Sequence, residues 1–473
     1  MIFSSFEFIF FFLPLLLFIY YLAYKSSINV KNFILMIGSF LFYAWGEPVW
    51  VILLLFSATQ DYICGRVIGN ARKNGTKYVA RVMLIVSITT NLALLGTFKY
   101  LDFFLENLGL LFRFTPELTG LALPIGISFY TFQTLSYTID VYRGKVEVQK
   151  SYSNFLLFVS LFPSLVAGPI IRYESISDQI SNRTFNWDDF SSGLKRFIIG
   201  IGKKLIIADT IAHVAEYSFS ADPATLSVTA AWLGAAAFGM QIYFDFSGYS
   251  DMAIGLGKMF GFHFLENFNF PYISRSISDF WRRWHISLST WFRDYVYFPL
   301  GGSRVKSKFR LVFNLFIVWA LTGLWHGAAW NFVFWGLFFF VLIMFEKVTG
   351  FDKWAERVPV LSNIYMLVCV LIGWVLFRAE GIGHAWEYLL AMFGLQANPF
   401  FGTDTLRIGP EFIITWIIGI IACIPVSKIF SSARFTESLP AVIIRWVLVI
   451  FILLLSFAIM SGNEQSPFIY FAF

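Results

Sequence analysis

The chain has 473 residues, 58% hydrophobic, 20% aromatic and only 14% charged, with a mean hydropathy of +0.69. Apolar runs near the ~18–20 residues that cross a bilayer as a helix recur throughout, which excludes a soluble enzyme and predicts one integral domain over residues 1–473. The formal net charge of +6 lies in short basic segments with no interleaved base readers, so it reports membrane orientation and anionic headgroups and excludes nucleic acid as a partner.

The first apolar run, Phe8 to Ala23, lacks a basic leader and a small-residue cleavage pattern, and it reads as a retained membrane helix. Lys25 and Lys31 follow it, and Arg66, Arg72, Lys73, Lys77 and Arg81 fill what is predicted to be a short loop. The positive-inside rule puts both groups in the cytoplasm. Two crossings then fit between them, Phe33 to Trp45 and Val49 to Cys64, separated by Gly46-Glu47-Pro48, with the N-terminus outside. Val79 to Phe98 crosses outward, Asp102 to Glu117 is predicted to be an external, partly interfacial loop, and Leu123 to Val141 returns. The polar residues of that last span, Ser128, Thr131, Gln133, Ser136 and Thr138, predict burial against protein. Phe155 to Ile171 is broken by Pro163 and Gly168-Pro169, which membrane depth tolerates only where protein or a cavity shelters the backbone.

After a polar segment from Arg172 to Asp189, Lys195, Arg196, Lys203 and Lys204 fall on one side of a predicted helix. They read as an interfacial site for anionic membrane lipid or as part of a phosphate-binding entrance. Ala230 to Phe244 is apolar, Tyr243 to Asp251 is expected to interrupt the helix with two carboxylates, and helix resumes from Met252 to Phe260. Phe332 to Met344, Ile364 to Phe377, Phe412 to Ile424 and Ala441 to Ile459 are further crossings. The fold class predicted is all-α polytopic, with about eleven crossings. Cys64, Cys369 and Cys423 are odd in number and lack ligand spacing, so neither a disulfide nor a metal site is expected.

Ionisable residues concentrate between Ser276 and Trp335, and intramembrane charge marks function. Read as one helix, Ser276 to Tyr297 places Phe280, Trp284, Leu288, Trp291 and Tyr295 on an apolar stripe, with Trp281, His285, Ser289 and Phe292 beside it. Asp279 can pair with Arg283. Pro299-Leu300-Gly301-Gly302 ends this element, and Arg304, Lys306, Lys308 and Arg310 put the next loop in the cytoplasm. His326 lies within the run Val318 to Trp335, between Gly323 and Gly327 and among Trp319, Trp325, Trp330 and Trp335. Apolar surroundings favour the neutral imidazole, a competent general base. A buried histidine is commonly structural, but His285 and the nearby Arg, Asp, Ser and Trp residues point to a reaction centre. Asp245 and Asp251 read either as hydrogen-bond glue at a helix break or as residues that orient a histidine or line a substrate tunnel. His213, His263 and His384 are read as bystanders.

Tyr243 to Gly255, Phe280 to Gly302 and Leu324-Trp325-His326-Gly327 resemble the membrane-bound O-acyltransferase family, and within it the bacterial alginate O-acetyltransferase branch. Phe3-Ser4-Ser5, Leu123 to Tyr130, Ala167-Gly168-Pro169 and Phe468 to Phe471 extend the resemblance over nearly the whole chain, with Ala472 a departure where a glutamine is expected. The resemblance implies a ring of transmembrane helices, some broken, re-entrant or interfacial, around a central tunnel in the bacterial cytoplasmic membrane. It implies His326 as the catalytic histidine, His285 as its supporting partner, and Asp245, Tyr243, Ser247, Trp281, Trp284, Ser289, Trp325 and Asn331 along the tunnel. It further implies acetyl transfer from cytoplasmic acetyl-CoA, with no bound cofactor, toward an extracytoplasmic polysaccharide. His285, the Trp281 and Trp284 indoles and Ser289 are candidate oxyanion donors, and Arg282, Arg304, Lys306 and Lys308 are candidates for the CoA phosphates. The sequence carries no fused hydrolase-like domain with a serine triad, so a separate SGNH-type extracytoplasmic acetyltransferase is the expected partner. The alternatives are D-alanyl transfer to teichoic acid within the same family, or a lipid or polysaccharide transporter.

Overall fold

A computed structural model describes residues 1–396, 398–402, 406, 408–426, 438–462 and 468–469. Helices account for nearly all regular structure, and no strand occurs among the described residues. In chain order the α-helices are α1 (Leu13–Leu22), α2 (Ile28–Gly46), α3 (Val51–Lys73), α4 (Lys77–Leu95), α5 (Leu101–Phe112), α6 (Ile127–Arg143), α7 (Tyr152–Ser160), α8 (Phe162–Leu165), α9 (Tyr173–Asn182) and α10 (Trp187–Gly202). There follow α11 (Asp209–Ser220), α12 (Val228–Met259), α13 (Ile277–Arg283), α14 (Ile286–Phe292), α15 (Lys308–His326), α16 (Trp330–Thr349), α17 (Phe351–Ala355), α18 (Pro359–Arg378), α19 (Ile382–Met392), α20 (Pro410–Ala422) and α21 (Leu439–Gly462).

Seven helical runs among the described residues are long and apolar enough to span a bilayer: α2, α3, the continuous run Lys77–Phe112, α15, α16, α18 and α21. The apolar segments Glu7–Leu22 and Pro410–Ala422 are shorter. The protein is therefore an all-α, multi-pass membrane protein. The other predicted crossings fall on α6, on the broken stretch after α7 and on α12, where burial against protein replaces lipid-facing hydrophobicity.

Two predicted loops are helical. Asp102 to Glu117 contains α5, whose Leu and Phe residues continue α4 through a π-helical turn at Gly96–Tyr100; Asp102 accepts from Thr119 N at 2.9 Å and Gly120 N at 3.1 Å, tying back the chain beyond it. The basic residues from Arg66 to Arg81 sit on α3 and α4, which are separated only by Asn74-Gly75-Thr76. Gly75 takes φ +73° there, a conformation that favours glycine.

The chain divides into two compact units. The first comprises Met1–Phe197 and Ser250–Leu265. Its core gathers Phe3, Phe8, Phe42 and Phe162, with ring centroids 5.0 to 6.2 Å apart. A polar seam joins α3, α4 and α6. The buried Asp61 carboxylate accepts from Ser87 Oγ at 2.6 Å and Asn91 Nδ2 at 2.7 Å, while Ser87 meets Thr138 at 2.9 Å. In an apolar medium such paired groups avoid the cost of unsatisfied burial and join the helices. Ser128, Thr131, Gln133, Ser136 and Thr138 on α6 are all buried, as their polarity predicts. At the proline break after α7, Ser39 Oγ accepts from the Phe162 N–H at 3.1 Å, so protein shelters the interrupted backbone.

The second unit comprises Ile198–Tyr249 and Glu266–Phe473, of which the described residues are considered. It contains one continuous apolar core built from α11, α12, α13, α15, α16, α18 and α19. His285 and His326 lie in this unit.

Candidate active site

The predicted single helix from Ser276 to Tyr297 is interrupted. α13 starts on Ser276, whose Oγ accepts from Asp279 N at 3.0 Å, and Glu346 of α16 accepts from Ile277 N at 2.5 Å and Ser278 N at 2.9 Å. These bonds satisfy donors that a helix start leaves open. Asp279 pairs with Arg283 at 3.0 Å, as the i, i+4 spacing predicts. The chain then breaks at Trp284 and His285, and His285 adopts φ +46°. Asn267 holds this turn. Its carbonyl oxygen accepts from Ser287 N at 3.2 Å and Ser287 Oγ at 2.9 Å and faces His285 Nδ1 at 3.2 Å, while its backbone carbonyl accepts from Ile286 N at 2.9 Å. A left-handed non-glycine residue is strained and persists only where its surroundings fix it. The stripe survives the break: Phe280, Trp284, Leu288, Trp291 and Tyr295 are all buried.

His326 is the last residue of α15, not a mid-helix residue, and Gly327 continues in extended conformation before α16 begins at Trp330. The two helices pack closely because a Cβ at Gly323 would collide with the Phe332 carbonyl, so only glycine admits that approach. The His326 ring is 4% exposed and lies edge-on to Trp335 at 4.9 Å and Phe377 at 5.4 Å, with Trp325 at 5.0 Å. His285 is 1% exposed and lies edge-on to Phe246 at 4.7 Å and to Trp325 at 6.0 Å. Trp325 thus meets both histidines. Trp281 packs on Trp335 at 5.5 Å and on Trp319 at 5.1 Å. The indole N–H groups of Trp281 and Trp335 are buried and have no hydrogen-bond partner among the described residues. A buried unpaired donor is costly, which suits a group reserved for a ligand.

The other candidates divide between this cluster and its supports. Trp284 stacks with Phe280, packs at a tilt on Trp374 at 4.9 Å and meets Tyr243 at 6.0 Å, forming the next aromatic layer. Ser289 reaches the Trp284 carbonyl at 3.5 Å across the turn, and Asn331 donates to the Ala379 carbonyl at 3.3 Å. Ser247 is buried on α12.

The expected helix break around Asp245 is absent, because α12 runs unbroken through both carboxylates. Within the second unit, Lys204 lies 2.7 Å from Asp245 and 2.8 Å from Asp209, and Ile469 N donates to Asp245 at 2.8 Å. Within the first unit, Asp251 pairs with Arg196 at 2.8 Å. Lys204 is accordingly buried against carboxylates and does not face lipid. Phe246, the neighbour of Asp245, is the residue that meets His285, and Phe468 packs on Phe246 at 5.7 Å and Tyr249 at 4.7 Å. Tyr470 to Ala472 lie outside the described residues.

The proposed phosphate cations are not gathered at the histidines. Arg282 is exposed and 3.7 Å from Asp279, and Arg304, Lys306 and Lys308 are exposed around the start of α15. His326 ends that 19-residue helix, so about 27 Å of helical rise separates Lys308 from it. No three His, Cys, Asp or Glu side chains cluster as metal ligands among the described residues. Sequence patterning did not single out Asn267, Glu346 or Phe377, and it noted Trp335 only as a neighbour of His326.

The model of the membrane-bound O-acyltransferase family matches residues 36–377, a range that includes His285, His326 and the rings of Phe246, Trp325, Trp335 and Phe377. The chain belongs to that family. It is therefore an acyltransferase built into the membrane. Over its full length it is 40% identical to the full length of the probable alginate O-acetylase AlgI of Pseudomonas putida. It is 45% identical to the probable alginate O-acetylase AlgI of Pseudomonas aeruginosa over 83% of this chain and 75% of that one. It is 36% identical to the peptidoglycan O-acetyltransferase of Helicobacter pylori over 84% and 80% of the two chains. For this membrane-bound O-acyltransferase, the buried aromatic cluster that joins His285 and His326 is the candidate reaction centre.

Proposed function

We propose that the chain transfers acetyl groups from cytoplasmic acetyl-CoA across the bacterial cytoplasmic membrane for O-acetylation of an extracytoplasmic polysaccharide, alginate-like or of the cell wall. The observation that carries this reading is the position of His326, at the end of α15 inside a shell of Trp325, Trp335 and Phe377. The names of the relatives support the acceptor class.

A thioester carbonyl is already activated, so the enzyme's task is to align a hydroxyl and remove its proton. A neutral His326 takes that proton as the hydroxyl oxygen forms the new C–O bond; collapse of the tetrahedral intermediate breaks the C–S bond, and the proton passes to the departing CoA thiolate. The Trp281 and Trp335 N–H groups are the candidate donors to the intermediate's oxyanion. His285 acts as a positioning residue: Asn267 fixes its turn and Trp325 carries its packing to His326. Arg304, Lys306 and Lys308 serve the CoA phosphates at the cytoplasmic mouth, a helix length from the base. The hydroxyl acetylated at His326 belongs to a separate SGNH-type acetyltransferase, which receives the acetyl as an ester and then passes it to sugar hydroxyls, regaining its own hydroxyl. The test supplies radiolabelled acetyl-CoA to membranes containing the chain with such a partner and polymer. Chain-dependent label in the polymer is expected, and label that stays in acetyl-CoA would refute the reading.

A further inference from the structure

The first unit contains a cationic cleft. Tyr20, Tyr21 and Tyr24 from the end of α1, Lys31 from the first turn of α2, Arg183 to Asn186 after α9, and Lys258, Phe260 and Gly261 at the end of α12 line a narrow cleft that opens to the surface. Among the described residues no acidic side chain lines it. Arg183 is 9% exposed, yet its guanidinium reaches only neutral groups: Tyr20 Oη at 3.3 Å, the Gln179 carbonyl at 3.1 Å and Asn32 Oδ1 at 2.6 Å, with its face on Phe262 at 4.2 Å. Lys31 lies over the Tyr24 ring at 5.4 Å. Among the described residues no carboxylate forms an ion pair with Arg183, Lys31 or Lys258.

Three cations around one cleft without a counter-charge repel one another, and a buried guanidinium without an anion is expensive. A bound anion would offset both costs. Phosphate is the anion that fits lysine point charges flanking an arginine. The flanking aromatics indicate where the phosphate comes from. Tyr24 is 55% exposed and Trp187 is 72% exposed, and both are joined through Phe185, at 6.0 and 4.8 Å. Exposed Tyr and Trp beside cations are typical of the headgroup level of a bilayer. We propose that this cleft binds the phosphate headgroup of an anionic phospholipid, with Lys31 and Lys258 contacting the headgroup and Arg183 supplying buried charge behind them.

The full chain in detergent is titrated with phosphatidylglycerol or phosphatidylcholine and read by native mass spectrometry. Preferential retention of phosphatidylglycerol is expected, weakened about thirty-fold in K31Q/K258Q, the effect of removing two cations near the surface. K31R/K258R should restore it, and K73Q/K77Q, which removes exposed cations elsewhere, should leave it unchanged. A photo-crosslinking phosphatidylglycerol should label the peptide that contains Tyr24 or the one that contains Phe185. Equal retention of the two lipids, or undiminished retention in a well-folded K31Q/K258Q, would overturn the proposal. Displacement by inorganic phosphate beyond that by chloride of equal ionic strength would assign the cleft to a soluble phosphate ligand and overturn the lipid assignment.

Discussion

Replacing Asn267 with alanine tests whether His285 is held in place for a purpose. The side chain is 1% exposed, and its carbonyl oxygen accepts from Ser287 N and Ser287 Oγ and faces His285 Nδ1, at 3.2, 2.9 and 3.2 Å. Each bond contributes ~1 kcal/mol net, and a buried donor left unpaired costs roughly 1–3 kcal/mol, so Asn267→Ala should lower stability by about 3 kcal/mol. The left-handed turn at His285 carries strain of order 1–3 kcal/mol that these bonds offset, so their loss also lets the ring move. Thermal melting of the purified protein in detergent reads the first effect. Initial rates at saturating acetyl-CoA read the second, where a fall in kcat of about ten-fold or more is expected. Asn267→Asp keeps an accepting oxygen but buries a carboxylate without a cation, so it should also melt below the wild type. Wild-type melting and turnover in Asn267→Ala would refute the reasoning.

Lys204→Met should destabilise the protein by about 3–5 kcal/mol, since it leaves the buried Asp245 without its cation, and Asp245→Asn in the same chain should recover part of the loss in the same melt. Trp335→Phe keeps the ring beside His326 but removes an unpaired N–H; steady-state rates should show kcat lower by roughly 10²-fold, and an unchanged kcat would exclude this indole as an oxyanion donor. Joint replacement of Arg304, Lys306 and Lys308 by Gln should raise KM for acetyl-CoA with little change in kcat, and the effect should shrink at high salt because these side chains are exposed.

Much of the architecture was legible because hydrophobic length determines membrane helices. The spans around α20 and α21 were placed within a few residues, those around α2, α16 and α18 fell inside longer helices, the span on α3 stopped well short of its end at Lys73, and the polarity of α6 correctly predicted its burial. Errors arose where a tertiary partner decides local structure. Tyr243 to Asp251 looked like an interruption because two carboxylates are costly within a membrane helix, but Lys204 and Arg196 supply their counter-charges from residues distant in sequence. Periodicity from Ser276 to Tyr297 concealed the turn at His285, because the apolar stripe stays buried on both sides of the break and Asn267, which holds the turn, lies before it in the sequence. Glu346 and Phe377 sit in otherwise ordinary apolar helices, and only the packing of α16 against α13 and of α18 against His326 reveals their place.

The most direct test of the account replaces His326 with alanine and with glutamine in the purified protein and follows CoA release and acetyl transfer from labelled acetyl-CoA, alongside melting in detergent. Both variants should stay folded and still retain acetyl-CoA, while acetyl transfer falls by at least roughly 10²–10⁴-fold, the contribution of a general base. Turnover close to wild type in either folded variant would contradict the assignment of the proton acceptor.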